Sequence, residues 1–356
     1  AAQGDLDRRE LYELRLRSVT WYRDRIQDAA RTERALTDAI PLDPEPIEAH
    51  AQLVDLLRGQ SRTSDLVSAL HAWSEVEPVA ENRISLLREA GDLARDEVGD
   101  PNLAAEQYQA LLSVDREDVE ALRALASIRE GQSRWNEVVA LLERQLEVAP
   151  GGERADVARR IGAAYRDHLS DPRAAIAAYE KALDIDSDDV ETMDALEGLY
   201  RENDRIEALR SLLERRADAA VGSDKTVFQL RLAQLYEHAF RDQAAAIATF
   251  RDVLNAEPDN AVALADLERL FEDTEAWTEL VALILSKVGD SSDDDQRAML
   301  GRVAAVQEQK LDDPEAAIRT YERIQADLGA DDASLRALAA LYERQGRSAD
   351  VAQTLQ

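Results

Sequence analysis

The 356-residue chain contains no cysteine. That excludes disulfides, thiol catalysis, thiolate zinc sites and iron–sulfur clusters, and it leaves the redox compartment open. Lysine is nearly absent too: Lys181, Lys225, Lys287 and Lys310 are the only four, so 39 of the 43 basic residues are arginine. Such a bias most simply reflects GC-rich coding in a bacterium. No apolar run approaches the ~20 residues that a membrane-spanning helix needs, which argues for a soluble chain of bacterial cytoplasm or periplasm. Phosphate-cradling glycine motifs are missing as well: there is neither a GxGxxG nor a GxxxxGK[ST], and Gly151-Gly152 follows Pro150 in a plain turn.

Acid is what the chain has in excess. With 73 Asp and Glu the formal net charge is −30, which disfavours binding to nucleic-acid phosphates and steers basic partners instead. Paired carboxylates are too frequent in such a composition to mark acid–base catalysis. Asp184, Asp186, Asp188 and Asp189 cluster, but Asp189 stands where a calcium loop needs glycine and Ala195 where it needs a bidentate glutamate. Asp290, Asp293, Asp294 and Asp295 read as a solvated linker before a helix N-terminus. His50, His71, His168 and His238 are scattered without metal-binding spacings, and a helix-end surface position suits His168 and His238. Trp21, Trp73, Trp135 and Trp277 read as core wedges. No catalytic, cofactor or metal site is expected.

The dominant signal is repetition. DPNLAAEQYQALL starts at Asp100, DPRAAIAAYEKAL at Asp171, DQAAAIATFRDVL at Asp242 and DPEAAIRTYERIQ at Asp313, each 71 residues after the last. A fainter copy, DAARTERALTDAI, begins at Asp28, 72 residues earlier. Five units of about 71 residues therefore fill the chain, approximately 5–79, 80–150, 151–221, 222–292 and 293–356, with no second domain. Within the third unit Val157, Ile161 and Tyr165 share one face of a helix. Asp171-Pro172 caps a second helix, which carries Ala175, Tyr179 and Ala182. A third bears Leu196 and Tyr200, and 206–216 forms a fourth. Four helices per unit predict about twenty in all, in ten hairpins. Ala175, Ala246 and Ala317 each stand four residues before an aromatic, which lets two helices approach closely beneath a ring.

Half of 71 is close to the period of one known helical hairpin. Ile161, Gly162, Tyr165, Ala175, Tyr179 and Ala182, and again Leu232, Ala233, Tyr236, Ala246, Phe250 and Pro258, match its pattern of large apolar, small, Tyr, Ala, aromatic and a small residue or Pro. The chain resembles the tetratricopeptide repeat family along essentially its whole length, with one residue added in the turn. The alternate hairpins are degenerate, with Glu197 and Glu268 where the family prefers a small residue. The resemblance implies an all-α, right-handed α-solenoid superhelix that forms a single body. It also implies a noncatalytic scaffold that binds a protein or peptide segment, needs no cofactor and takes part in a larger complex.

In such stacks the first helix of each hairpin lines the concave groove. By that resemblance the groove candidates are Arg88, Asp92, Arg95, Arg123, Arg159, Arg166, Asp194, Arg201, Gln234 and Glu237. Arg88 and Arg159 stand 71 apart, as do Arg95 and Arg166, so each pair occupies equivalent positions. The competing reading is that these arginines neutralise neighbours such as Asp96 and Asp167 in solvated pairs of little energetic weight. Two other functions remain open: the regulatory or sensor arm of a larger enzyme, and a structural subunit of a bacterial envelope or motility assembly. The opening Ala1-Ala2-Gln3-Gly4-Asp5, without Met, and the stop at Gln356 inside a helical pattern point to a fragment of a longer protein.

Overall fold

The computed structural model describes residues 7–43 and 45–354, and only the backbone of Asp290. Ala1–Asp5, Gln356 and the Asp290 side chain lie outside the described residues. Among those described there are twenty α-helices and no strand. In chain order the first hairpins are α1 (Arg8–Trp21) with α2 (Ala29–Ala39), α3 (Ile47–Gly59) with α4 (Thr63–Val76), and α5 (Ala80–Leu93) with α6 (Pro101–Val114). α7 (Val119–Gly131) with α8 (Trp135–Val148) and α9 (Gly151–Ala164) with α10 (Pro172–Ile185) follow, and then α11 (Val190–Glu202). Beyond α12 (Ile206–Ala219) come α13 (Ser223–Leu235) with α14 (Gln243–Ala256) and α15 (Ala261–Asp273) with α16 (Trp277–Lys287). The last pairs are α17 (Asp293–Gln309) with α18 (Pro314–Leu328) and α19 (Asp332–Arg344) with α20 (Ser348–Thr354). The chain falls into two compact units, Ala1–Asp204 and Arg205–Gln356. Within each, every helix packs on the next in sequence, the nearest-neighbour arrangement of a helical repeat array.

The 71-residue period is a sum of two unlike hairpin spacings. A residue in the left-handed conformation ends the first helix of each hairpin: Gln27, Ser61, Gly99, Ser133, Ser170, Asp204, Arg241, Glu275, Asp312 and Gly346. From Ser170 to Asp204 is 34 residues, and from Ser133 to Ser170 is 37. The longer spacing arises because α9 continues past Ala164 into a π-helical turn, Tyr165–Leu169. Equivalent π-turns occupy Tyr22–Ile26, Ala94–Val98 and Tyr236–Phe240. The residue expected to be added in the turn is thus a π-bulge within the helix end, accompanied by a shorter linker before the helix.

These π-turns close in one way. The N–H of Asp28, Asp100 and Asp171 donates to the carbonyl six residues earlier at 3.1 Å and that of Asp242 does so at 2.9 Å, and after α17, which has no π-turn, Asp313 makes the same bond at 2.9 Å. The same aspartates then cap the next helix. Their carboxylates accept from Arg31 N (3.0 Å), Asn102 N (2.9 Å), Ala174 N (3.0 Å), Ala245 N (3.0 Å) and Ala316 N (2.9 Å), so each satisfies backbone on both sides of the corner.

Packing inside the long hairpins follows the small-against-aromatic pattern. Tyr108, Tyr179 and Phe250 are buried, and a Cβ built on Gly91 or Gly162 would lie 2.8 or 2.9 Å from the ring of Tyr108 or Tyr179. Ala175, Ala246 and Ala317 are fully enclosed. Trp73, Trp135 and Trp277 pack against the core as expected, whereas Trp21 is mostly exposed and is no wedge.

Candidate functional site

Four of the expected groove residues converge. Arg88 and Asp92 on α5, Arg95 on its π-turn and Arg123 on α7 line one open cleft of about 480 Å³, together with Tyr108, Glu120 and Ser127. They meet because α5 and α7 are first helices of successive hairpins and lie side by side, with Tyr108 of α6 forming the floor.

The cleft is a charge network rather than a bare basic patch. Arg95 bonds Asp96 at 2.7 and 2.8 Å, pairs with Asp92 at 3.2 Å, and donates to the Tyr108 hydroxyl at 2.9 Å. Its guanidinium also lies 6.0 Å from the centre of that ring. The Tyr108 hydroxyl in turn donates to Asp92 at 2.7 Å. Burial, followed by the bond to Asp92, pushes the phenol well above its ordinary value, so it remains a donor. The bond to Asp96 raises Arg95 further and holds Asp96 below the usual carboxylate range. Arg88 pairs with Asp118, the N-cap of α7. Arg123 bridges Glu120 at 2.9 Å and Glu153 of α9 at 2.7 Å. All three arginine side chains remain 42% exposed.

Residues 121–155 and 160–189 match two family models, both described as tetratricopeptide repeat. The chain carries tetratricopeptide repeats. Such repeats serve protein–protein interaction. No curated protein matches the chain. Solved structures to which it is similar include MamA residues 41–end from Desulfovibrio magneticus RS-1, at 15% identity and TM-score 0.31, over 60% of this chain and 97% of that one. Another is YrrB, described as a TPR protein with an unusual peptide-binding site, at 16% identity and TM-score 0.32, over 51% and 90%. PilF of Pseudomonas aeruginosa follows at 17% identity and TM-score 0.30, over 72% and 96%.

The remaining expected residues lie on the first helices of other hairpins. Arg159 of α9 pairs with Asp156 and with Glu191 of α11, and Arg166 bonds Asp167 at 2.7 and 2.9 Å while lying 5.7 Å from the Tyr179 ring centre. Asp194 is exposed on α11, and Arg201 reaches Glu197 at 2.9 Å. Gln234 and Glu237 belong to the second compact unit. Gln234 is exposed, while Glu237 accepts from both arms of Arg269 at 2.5 and 2.9 Å. The pairings to Asp96 and Asp167 posed as the competing reading are therefore present. The misplaced acids of the degenerate hairpins are compensated too: Glu268 holds Lys287 at 2.9 Å and Arg302 at 2.6 Å.

Two features escaped the sequence. One is a run of ion pairs between first helices of neighbouring hairpins: Arg58–Glu89 at 2.6 Å, Arg88–Asp118, Arg123–Glu153, Arg159–Glu191 and, in the second unit, Arg297–Asp331 at 2.8 Å. The signal available was an arginine followed by an acid 30–34 positions later. The other is a contact between the start of a second helix and the end of the next π-turn. His168 stacks on Trp135 with centroids 3.5 Å apart and Thr63 bonds Glu97 at 3.0 Å, while at the C-cap of α17, which has no π-turn, Lys310 lies 4.8 Å from the Trp277 ring centre. His168 is thus at an exposed helix end, as expected, and there it also stacks on Trp135.

Proposed function

We propose that this chain is a noncatalytic scaffold that binds a segment of another polypeptide along the first-helix face of its repeats, and that residues 1–356 act together in that role within a larger complex. The cleft between α5 and α7 carries the reading. Donors from Arg88, Arg95 and Arg123 and acceptors from Asp92 and Glu120 surround one open volume large enough for two or three side chains. A backbone, which offers both donors and acceptors, suits such a mixed lining better than a ligand of one charge. Arg159, Arg166, Asp194 and Arg201 extend this surface over α9 and α11 of the first unit, and Gln234 and Glu237 mark the first-helix face of α13 in the second unit by itself. The net charge of −30 favours partners with basic flanks.

Ser127 lines the cleft and is exposed, so Ser127→Trp fills it without removing any bond described above. Polypeptides retained from native cell extract and identified by mass spectrometry should be lost from this variant while its thermal melt is unchanged. Retention should weaken as salt is raised. Equal retention by the variant would move the binding surface elsewhere.

A further inference from the structure

The repeat supplies its own standard for what should be covered. On α1, Leu14, Ser18 and Trp21 lie on one face, at i, i+4 and i+7. Shifting by the repeat period aligns Leu14 with Leu86, Val157, Phe228 and Met299, and Trp21 with Leu93, Ala164, Leu235 and Val306. In those later copies the face is packed under the second helix of the preceding hairpin, α4 on α5, α8 on α9, α12 on α13 and α16 on α17. Leu86 is accordingly 9%, Val157 3% and Ala164 4% exposed, and Leu93, Phe228, Leu235, Met299 and Val306 are partly buried. Leu14 is 50% and Trp21 57% exposed. The interface used four times within this chain therefore continues onto α1, where none of the described residues covers it.

Its chemistry is specific in two ways. Apolar content rises at the edge: the place held by Leu, Ala, Leu and Val in the covered copies is held by tryptophan, the residue that most often anchors a binding interface. Charge also reverses. Within residues 8–26 there are six arginines and three acids, a local charge of +3 in a chain of −30. Arg17 and Arg25 flank the apolar stripe and are exposed. The helices that cover this face within the first unit are themselves acidic, since α4 and α8 each carry a net charge of −2. Both pack through an aliphatic pair followed three residues later by leucine: Leu66, Val67 and Leu70 in α4, and Val138, Val139 and Leu142 in α8.

We propose that the Leu14–Ser18–Trp21 face of α1 docks an acidic amphipathic helix of a separate partner protein, seated as α4 and α8 sit on α5 and α9. This surface is separate from the α5/α7 cleft and does not depend on it. An apolar stripe gives affinity, and the arginines at its margin select a helix with carboxylates beside its leucines.

The probe is a fluorescein-labelled peptide with the sequence of residues 135–148, titrated against the full chain by anisotropy. Saturable binding is expected. It should weaken at least tenfold in Leu14→Glu and in Trp21→Ala, remain unchanged in Ser127→Trp, and fall when Glu137, Glu143 and Glu147 of the peptide become Lys. Both chain variants alter exposed side chains, and circular dichroism checks that they keep the fold. No binding, or equal binding to both variants, overturns the proposal. So does concentration-dependent self-association in sedimentation velocity that Trp21→Ala abolishes, since the face would then serve a second copy of this chain.

Discussion

Gly162 shows how far a single hydrogen atom matters in this chain. Its missing Cβ would fall 2.9 Å from three ring atoms of Tyr179, and a ring held in the core cannot swing aside. Gly162→Ala gains about 1 kcal/mol of helix propensity yet should lose ~1–3 kcal/mol net through overpacking, measured by urea melts. Ala246→Leu should lose a similar ~1–3 kcal/mol, because Ala246 is enclosed beneath Phe250. An unchanged melt would contradict the register. The small residue and the aromatic were both legible in sequence, as elements of a pattern; their contact distance was not. His50 gave no such signal. It is buried, its Nδ1 lacks a partner, and burial lowers its pKa below 6.5. The unfolded chain therefore binds this proton more readily than the folded one. Stability is full above 6.5 and declines as pH falls through 6.5, levelling once the folded imidazole also protonates. The loss between about pH 7.5 and about pH 5 in urea melts should shrink in His50→Leu.

At the scale of the element, the corner aspartates hold helix ends together. Asp171 closes the π-turn through its N–H and caps α10 through its carboxylate. Asp171→Ala removes only the second bond and should cost about 1 kcal/mol, read by thermal melt. Asp331 caps α19 with bonds from the Ser334 hydroxyl and backbone and from Arg297, which hold its pKa at about 2 against an ordinary 3.8. The folded state resists protonating it, so its contribution is present above 3.8 and is lost as pH falls from there to about 2. Asp331→Asn should flatten that part of the acid-unfolding curve. The Asp-Pro caps were plain in the sequence. The π-turns were not, because a stripe at i and i+4 looks the same whether the last turn holds four residues or five. Only the left-handed residue and the bond spanning six positions reveal it.

At the scale of the whole chain, 73 acids face 39 arginines, and among the described residues many of those arginines stand in ion pairs within or between helices. Equivalence at 71 residues was readable, and it put Arg88 with Arg159 and Arg95 with Arg166. Neighbourhood was not, because first helices that touch are about half a period apart and belong to unlike hairpins. Four expected residues therefore meet in one cleft, while Arg159 turns to Glu191 and Glu237 to Arg269. Binding that depends on such pairs should show a salt slope, with affinity falling as ionic strength screens the exposed arginine edges. Titration calorimetry with a captured partner would measure it.

Because long and short first helices alternate, the sequence can be lengthened or trimmed only in double steps. Excising a lone hairpin would set two bulged helices, or two plain ones, against each other and separate the arginines at the junction from the acids they pair with. The heritable building block is consequently a pair of hairpins, and any tandem duplication that preserved the fold would have copied about 71 codons at once.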